Sequence, residues 1–325
     1  RLPFQFTTAI SPFLIKICGG VVNFLLSYLM IGKGGNNGLK TRIAVFSDVH
    51  GNLSAFEAMY QDSLKQGVDQ YWFVGDLLMP GPSVQKVWCL FEKMNPAVVV
   101  RGNWDDLVVR GARGLMDVDK PSHVYFARLA QYVDRHAPAG MIDNLASWPL
   151  HVTKQVGALN FGISHNLPQL NMGQDLFPTK PTVNFDRLFQ LPGSQPVDVA
   201  IYAHVHHQLL RYANDERIIL NPGAVGEPFN HWSGLQRDLR AHYLVLEVDD
   251  TGLAETSFRH VNYDRTAEID RAQSDAIPYA QLYQRMMKTG LAYTHDDELL
   301  TRFNRQYGYA DEYQRFAAEK LRQAD

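Results

Sequence analysis

The stretch Ile43-Ala44-Val45-Phe46-Ser47-Asp48-Val49-His50-Gly51-Asn52 joins an apolar run to two polar residues that can bind a metal ion. Four consecutive apolar residues predict a buried β-strand. If the chain stays extended through Asp48 and His50, side chains two residues apart point to the same face, so both can reach one ion. Gly51-Asn52 then predicts a turn, in which Asn52 either caps the following helix or contacts a substrate phosphate.

Four further apolar runs end in residues of the same kind. These are Tyr71–Val74 before Asp76, Val98–Val100 before Asn103, Phe161–Ser164 before His165, and Val199–Tyr202 before His204 and His206. Ligand sites of open α/β sheets lie beyond the carboxyl ends of the strands, so we expect the seven side chains to converge. Seven oxygen and nitrogen donors are typical of a site for two metal ions, and they suit manganese, iron or zinc.

Hydrophobic periodicity predicts an α/β fold with more than one sheet. Amphipathic segments at 52–66 and 84–93 predict helices between parallel strands. The pattern of residues 105–148 predicts a helical insertion, and the charged, aromatic tail 263–325 predicts several more helices. We expect the tail to pack onto the sheets; a cap over the site and a dimer contact are the alternatives. Further strands are expected at 150–156, 159–163, 218–220, 243–248 and 256–260, the last three in a second sheet packed on the first.

In order and spacing these motifs resemble those of the calcineurin-like metallophosphoesterases. The family blocks D-x-H, G-D, G-N-x-D, a lone H and G-H-x-H have counterparts between about residues 41 and 226, with Ala203 in place of one glycine. Additional runs resemble bacterial asymmetric diadenosine tetraphosphate hydrolases of the streptococcal type; they are Gly75–Gly81, Gly102–Trp104, Gly162–His165, His206–Tyr212 and Asn221–Gly223. The resemblance implies a four-layer αββα sandwich at residues 39–262, containing the helical insertion 105–148, and a helical C-terminal extension or cap at 263–325.

The resemblance also implies roles for individual residues. One metal ion would bind Asp48, His50 and His206, the other Asn103, His165 and His204, and Asp76 would bridge them. A hydroxide held between the ions would then attack the phosphorus atom. The predicted catalytic residues are Asp76, Asn103 and Asp105, of which Asp105 either orients a neighbouring ligand or caps a helix. The predicted substrate-binding residues are Asn52, Arg101 and Trp104.

Trp104 stands where many relatives carry a histidine that can protonate the leaving group. Indole cannot act as a general acid, and a positioned acid is typically worth ~10²–10⁴-fold in rate. A nucleotide phosphate needs little such help, because the second pKa of a phosphate is about 6. Trp104 therefore favours phosphoanhydrides or activated esters as substrates. Its ring either stacks on a nucleobase or lines the pocket without touching a ligand.

The sequence thus predicts a dinuclear-metal phosphohydrolase that cleaves diadenosine tetraphosphate asymmetrically to ATP and AMP. A broad-specificity phosphodiesterase and a non-catalytic scaffold with the same fold are the alternatives. With 31 Lys+Arg against 34 Asp+Glu, the net charge is −3, so we expect a small phosphorylated substrate rather than nucleic acid as the partner. Self-association is left open. Only Cys18 and Cys89 occur, which argues against a disulfide framework and favours the cytoplasm.

The first 38 residues differ from the rest of the chain. They contain no Asp or Glu, and Phe13–Ile31 is mostly apolar, long enough for a membrane anchor. Lys16, Gly19-Gly20 and Asn23 weaken that interpretation. Another interpretation is that the segment is not naturally translated: codons for Lys33-Gly34-Gly35 can spell a bacterial ribosome-binding sequence, and Leu39 can be a TTG start. The intact mass of the native protein distinguishes the two.

Overall fold

A computed structural model of the protein describes residues 16–17, 20–21, 40–191 and 196–324. Two short antiparallel strands, β1 (Lys16–Ile17) and β2 (Gly20–Val21), belong to a unit separate from residues 40–324. The predictions made for residues 1–38 otherwise lie outside the described residues. Within the described part of the chain, no helix combines the length and the apolar character needed to cross a membrane.

One five-stranded sheet contains the strand that opens the metal-ligand motifs. Its order is β12-β11-β3-β4-β5, with β3, β4 and β5 parallel and β11 antiparallel to both of its neighbours. The strands are β3 (Thr41–Phe46), β4 (Gln70–Phe73), β5 (Val98–Val99), β11 (Ala241–Asp249) and β12 (Gly252–Val261). Strands at 243–248 and 256–260 are therefore present, but the prediction that they belong to the second sheet is wrong. β11 pairs with β3, and β12 pairs with β11, because the chain returns to the first sheet after it has formed the second.

The second sheet also has five strands, in the order β6-β7-β8-β10-β9. Strands β7, β8 and β10 are parallel, and the two outer strands run antiparallel to their neighbours. The strands are β6 (His151–Val156), β7 (Leu159–Ser164), β8 (Val199–Ile201), β9 (Gln208–Tyr212) and β10 (Ile218–Pro222). The five ligand-bearing strands are thus divided between the sheets, with β3, β4 and β5 in one and β7 and β8 in the other.

Alternating side chains build the layers of the sandwich. Ile43 and Val45 of β3 face Phe161 and Ile163 of β7 in an apolar core between the sheets. The alternate β3 residues, such as Phe46, pack in a larger core formed with the helices. A smaller core covers the outer face of the second sheet with α6 (Thr182–Asp186) and a short 3₁₀ helix, Arg187–Phe189. Two sheets flanked by helices confirm the predicted sandwich.

Helices cover the outer face of the first sheet. Those between strands are α1 (Leu53–Lys65) and α2 (Val84–Met94), close to the predicted bounds, followed by α3 (Asn103–Ala112), α4 (Pro121–His136) and α5 (Met141–Ser147). The tail forms α7 (Arg265–Ser274), α8 (Ala280–Thr289), α9 (Asp297–Tyr307) and α10 (Tyr309–Ala324). Helix α7 packs on α1, whereas α9 and α10 pack on α4.

An ion pair fastens α1 to the last strand of its sheet. The Asp62 carboxylate accepts hydrogen bonds from Arg259 Nε at 3.1 Å and Arg259 Nη2 at 3.2 Å, and from the Tyr243 hydroxyl at 2.6 Å. Burial alone would raise the pKa of Asp62, but these donors hold the pKa below its usual value. The pair therefore stabilises the fold most when Asp62 is ionised.

Candidate metal centre

The ligand-type residues lie at one edge of the two sheets, six of them in loops and Asn103 as the first residue of α3. Strand β3 ends at Phe46, before Asp48 and His50, so the prediction of an extended strand through both residues is wrong. Five of the seven predicted ligands have a left-handed backbone, with φ of 52° at Asp48, 51° at His50, 63° at Asp76, 65° at His204 and 58° at His206. Such conformations are uncommon outside glycine and cluster at functional sites.

The first group of ligand-type side chains comprises Asp48, His50 and His206. Asp48 Oδ1 lies 3.1 Å from His206 Nε2 and 3.8 Å from His50 Nε2. The two imidazole Nε2 atoms are 3.4 Å apart. All three side chains are at least nine-tenths buried. Their nitrogen and oxygen atoms therefore face one small space.

The second group comprises Asp76, Asn103, His165 and His204. Asn103 Oδ1 lies 3.1 Å from His165 Nε2 and 2.9 Å from His204 Nδ1. Asp76 Oδ2 lies 3.2 Å from His165 Nε2. The same oxygen is 4.0 Å from His50 Nε2 of the first group. Asp76 therefore stands between the two groups, as the bridging role requires.

Backbone carbonyls fix the tautomers of the buried histidines. Nδ1–H donates to Met79 O at 2.7 Å in His50, to Val74 O at 2.6 Å in His165 and to Glu227 O at 2.5 Å in His206. In the neutral rings Nε2 consequently carries the lone pair, and it faces the other ligands. His204 is arranged the opposite way: its Nε2–H donates to Gly173 O at 3.1 Å, which leaves the Nδ1 lone pair toward Asn103.

The charges of the two groups are strongly coupled. Burial alone lowers the pKa of a histidine, but Asp76 raises the pKa of His165 to about 10 and Asp48 raises that of His206 to about 9. Burial and the neighbouring His165 lower the pKa of His204 to about 4. Without a metal ion, protons on His165 and His206 balance the two buried carboxylates. A bound cation takes the place of these protons.

Polar atoms of the ligand-type residues that lack a favourable hydrogen bond test whether a metal ion fits. Asp48 is fully buried; its Oδ2 has no hydrogen-bond partner among the described residues, and its Oδ1 has only His206 Nε2, at 3.1 Å. With His204 Nε2–H donating to Gly173 O, Nδ1 and Asn103 Oδ1 present lone pairs to each other, a contact that a cation between them, a second proton on His204 or a reversed amide would make favourable. Mixed carboxylate, amide and imidazole donors suit first-row transition metals. The residues of both groups therefore fit metal ions.

Two glycines make the close approach of the ligand loops feasible. A Cβ on Gly102 would lie 2.0 Å from Asp76 Oδ1, and one on Gly226 would lie 1.9 Å from Val49 O. Any side chain at either position would push apart the loops that carry the ligands. This explains the glycine before Asn103 in physical terms.

Asp105 connects the loops that carry Asp76 and Asn103. It is fully buried in the first turn of α3, and its Oδ2 accepts the backbone N–H of Gly102 at 2.8 Å and of Asp76 at 2.9 Å. Its Oδ1 accepts the N–H of Leu77 at 3.1 Å. Burial and the charge of Asp76 raise the pKa of Asp105 to about 7. The position is that of a residue that orients its neighbours, while the helix N-cap itself is Gly102.

Asn52 and Arg101 have protein partners. Asn52 Oδ1 accepts the N–H of Ala55 at 3.0 Å, so Asn52 caps α1, and its Nδ2 donates to Gly226 O at 3.1 Å. Arg101 pairs with Asp106 at 2.8 Å and donates to Ala146 O at 2.6 Å. The amide of Asn52 thus has the capping role that the sequence offered as the alternative to substrate contact. Arg101 is held among the helices of the insertion.

Trp104 lies directly beside the centre. Its backbone N–H donates to Asp76 Oδ1 at 2.8 Å, which turns Oδ2 toward the two groups. Its indole packs edge-on between the His50 imidazole and the Phe126 ring, with ring centroids 5.1 Å apart in both cases. On the other side of the centre, the Phe229 ring lies 5.3 Å from that of His206. The sequence analysis missed Phe229, whose only signal is the aromatic run Phe229-Asn230-His231-Trp232.

A third cluster, Asp238, His242 and His260, also brings together ligand-type atoms. Asp238 Oδ2 is 2.8 Å from His260 Nδ1, but the Arg240 guanidinium binds both Asp238 oxygens at 2.6–2.7 Å. A guanidinium already supplies the positive charge, so we assign no metal ion there. Both oxygens of the Asp238 carboxylate are thus engaged by Arg240.

Comparison with known proteins identifies the family. Residues 41–251 match the calcineurin-like phosphoesterase superfamily domain, which is more than half of the chain. The protein therefore belongs to the calcineurin-like phosphoesterase superfamily. The family and the ligand groups together support a metal-dependent phosphoesterase.

The similar proteins add support for the fold. The chain is 26% identical over 246 residues to an uncharacterized protein of Methanocaldococcus jannaschii, a match that covers 74% of this chain and 95% of that protein. The crystal structure of a hypothetical protein from Pyrococcus horikoshii OT3 aligns with a TM-score of 0.62 and 18% identity, covering 78% of this chain and 99% of that one. A metallophosphoesterase from Sphaerobacter thermophilus aligns with a TM-score of 0.54 and 20% identity, covering 77% and 100%.

Proposed function

We propose that the protein is a dinuclear-metal phosphohydrolase that cleaves phosphoanhydrides, with asymmetric hydrolysis of diadenosine tetraphosphate to ATP and AMP as its reaction. The observation that carries the proposal is the position of Asp76, whose Oδ2 lies 3.2 Å from His165 Nε2 and 4.0 Å from His50 Nε2. One carboxylate oxygen thus faces both ligand groups. This is the arrangement that two metal ions sharing one ligand need.

Some of the residues would bind the metal ions, and others keep those ligands in position. Asp48, His50 and His206 would hold one ion, and Asn103, His165 and His204 the other. When bound, such a pair of cations polarises the phosphoryl group, lowers the pKa of water and offsets the charge that develops on the phosphate oxygens. Asp105 keeps Asp76 and Asn103 in place through backbone N–H groups. Positioning and electrostatics then supply most of the acceleration of phosphoryl transfer.

Trp104 supports a substrate with a good leaving group. Its indole faces His50 at the edge of the centre and has no proton to give to a departing alkoxide. A nucleotide phosphate departs without such help, because it is a weak base near neutral pH. Diadenosine tetraphosphate fits this requirement, whereas simple alkyl phosphates do not.

A panel of substrates tests the proposal. The manganese-loaded protein is incubated with diadenosine tetraphosphate, cyclic nucleotides and an aryl phosphodiester, and the products are separated by chromatography. We expect ATP and AMP in equal amounts from the first substrate. Hydrolysis of the aryl ester alone would indicate a broad-specificity phosphodiesterase. No turnover of any substrate by metal-loaded protein would indicate a non-catalytic scaffold.

The role of Asp76 has its own test. Asp76→Ala should lose both metal binding and turnover, because it removes the oxygen that faces both groups. Asp249→Ala is the control, because Asp249 lies far from the metal centre. It is at the end of β11, next to Val248, which pairs with Thr41 at the start of β3, whereas the metal-ligand residues follow the end of β3. Near-normal activity of Asp76→Ala would refute the shared-ligand role.

A further inference from the structure

A groove rich in arginine lies outside the candidate metal centre, between the segment 234–240 and the connection from β12 to α7. The residues that give it its chemical character are Leu235, Arg237, Asp238, Arg240, Tyr263 and Arg265. None of the residues that line it is a candidate metal ligand. Its volume is about 500 Å³, which lies within the roughly 300–1,000 Å³ of small-molecule sites. The groove is therefore large enough for a small organic ligand.

The groove carries an excess of positive charge. Three arginines line it, against a single carboxylate, that of Asp238. Arg240 donates to both oxygens of that carboxylate, at 2.6 Å and 2.7 Å, and these hydrogen bonds hold the pKa of Asp238 well below its usual value. Asp238 therefore stays ionised and paired with Arg240, so Arg237 and Arg265 carry the net charge of the groove.

The protein does not neutralise these two arginines. Within the part of the chain that the structure describes, the Arg237 side chain forms no hydrogen bond or ion pair, and Arg265 forms only one long hydrogen bond, from Nη1 to Met287 O at 3.5 Å. Both side chains are exposed. A guanidinium presents five N–H donors in a planar fork that matches the oxygens of a phosphate, and it stays charged at physiological pH. The groove therefore offers two cations to a phosphate group.

Large apolar side chains are exposed beside the same groove. Leu235 lines it and is 61% exposed, and Trp232 is 73% exposed. The indole lies next to Gly234, another lining residue, because a Cβ at Gly234 would be 3.4 Å from Trp232 Nε1. The Trp232 backbone is held in place, since its carbonyl accepts the N–H groups of Leu235 and Gln236 at 2.9 Å and 3.0 Å. Proteins bind single nucleic-acid strands with the same combination, in which cations hold phosphates and aromatic rings stack on bases.

We propose that the groove binds a nucleotide, with its phosphate held by Arg237 and Arg265 and its base stacked on Trp232. The inference goes beyond the proposed function and does not depend on it. Tyr263 joins the groove to the metal-ligand loops, because it lines the groove while its hydroxyl accepts the Nδ2–H of Asn52 at 3.2 Å. Two sources present this base and phosphate, namely the far nucleotide of a substrate held at the metal centre and a free nucleotide.

Calorimetric titration of manganese-loaded protein with AMP and with ribose 5-phosphate tests the inference. Arg237→Gln and Arg265→Gln should each weaken the binding of both compounds by about 10-fold or more, the contribution of one hydrogen bond to a charged group. Trp232→Ala should weaken the binding of AMP by about 5–100-fold, the contribution of one stacked base. It should leave the binding of ribose 5-phosphate unchanged, because that compound has no base.

A matched variant controls for the loss of a positive charge. Arg113→Gln removes an exposed guanidinium that pairs with Asp143 and does not line the groove, and it should bind AMP like the unaltered protein. If AMP does not bind, or if it binds equally to the unaltered protein and to the three groove variants, the inference is overturned. Weaker binding in the arginine variants but not in Trp232→Ala would indicate a site for phosphate alone and overturn the assignment of a nucleotide.

Kinetic measurements on Arg237→Gln distinguish the two sources of the nucleotide. If kcat/KM falls about 10-fold for diadenosine tetraphosphate and stays unchanged for an aryl phosphodiester, the groove holds the far nucleotide of the substrate. If both values stay unchanged while AMP binding is lost, the groove holds a free nucleotide. Failure of the proposed function is a separate result: if the metal-loaded protein does not cleave diadenosine tetraphosphate, the titration with AMP still decides whether the groove binds a nucleotide.

Discussion

Replacing Asp105 by asparagine tests whether the loops of the metal centre are held by a single buried carboxylate. The carboxylate accepts three backbone N–H groups, at 2.8, 2.9 and 3.1 Å. Asparagine keeps one oxygen, and its NH₂ group would face N–H donors instead of accepting from them. Because hydrogen bonds to charged groups contribute about 1.5–3 kcal/mol each, we expect a loss of about 2–4 kcal/mol in the free energy of unfolding.

The same replacement should also weaken metal binding. Asp105→Asn also removes the repulsion between two buried carboxylates, which offsets part of the loss in metal-free protein. In metal-loaded protein no such relief occurs, because the cations already neutralise Asp76. Loss of a partner that orients a metal ligand typically costs 10–100-fold in affinity, so manganese should bind about 10–100-fold more weakly.

Calorimetric titration with manganese and thermal unfolding with and without metal measure these changes. Asp106→Asn is the matched control, because it is the same chemical change on the next residue of α3, where the half-buried side chain pairs with Arg101 and accepts from Asn171 Nδ2 at 2.7 Å. Its partners are side chains rather than the backbone of the ligand loops, and partly exposed pairs contribute little, so this variant should lose about 1 kcal/mol and keep its metal affinity. An Asp105→Asn protein with unaltered melting temperature and metal affinity would refute the positioning role.

The remaining predictions concern a ligand, a glycine and an ion pair. Elemental analysis should find one metal ion fewer in His204→Ala than in the unaltered protein. His207→Ala, the control, should bind the same number as the unaltered protein. An equal loss in both variants would contradict the assignment of His204. Gly102→Ala should lose most of its metal affinity in the same titration, because its Cβ would lie 2.0 Å from a ligand oxygen, and normal binding would show that the loops can separate. Asp62→Asn should lower the free energy of unfolding by about 1 kcal/mol at pH 7 and by progressively less as the pH falls below about 4, with Asp270→Asn as an exposed control. The pKa of Asp62 is depressed in the folded state, so its stabilisation is fully present above the unfolded pKa of about 4 and is lost as the pH falls through the lower folded-state pKa; a pH-independent loss would contradict this account.

Local sequence signals were enough to predict that ligand-type residues follow the ends of five strands. Each apolar run ends where a strand ends, and the polar residue that follows is of a ligand type, as at Phe46 before Asp48 and Ser164 before His165. Strand identity depends on neighbouring residues, which a sequence displays directly. The helices α1 and α2 were predictable for the same reason, since their apolar periodicity and caps are local.

The backbone of the ligand loops could not be predicted in the same way. The left-handed conformations of Asp48 and His50 are held by contacts between loops distant in sequence. Asp48 N–H donates to Gly75 O at 2.9 Å, His50 N–H donates to Asp76 O at 3.1 Å, and Gly226 N–H donates to Asp48 O at 2.9 Å. Nothing within the D-x-H motif encodes these partners, so an extended continuation of β3 was the natural expectation.

The pairing of β11 with β3 could not be predicted for a related reason. The apolar alternation of β11 predicts a half-buried strand, but it does not specify whether that strand pairs with β3 or with β10. The pairing is decided by the complementary cores, in which Leu244 and Leu246 pack with Ile43 and Val45 between the sheets. The packing of α9 and α10 on α4 likewise depends on contacts between distant segments.

The number and position of bound metal ions test the central claim most directly. Crystals of manganese-loaded protein give anomalous scattering that locates each ion independently of the protein atoms. We predict two manganese peaks, both within coordination distance of Asp76, with the remaining ligands divided as Asp48, His50 and His206 for one and Asn103, His165 and His204 for the other. A single peak, or two peaks that do not share Asp76, would contradict a dinuclear centre.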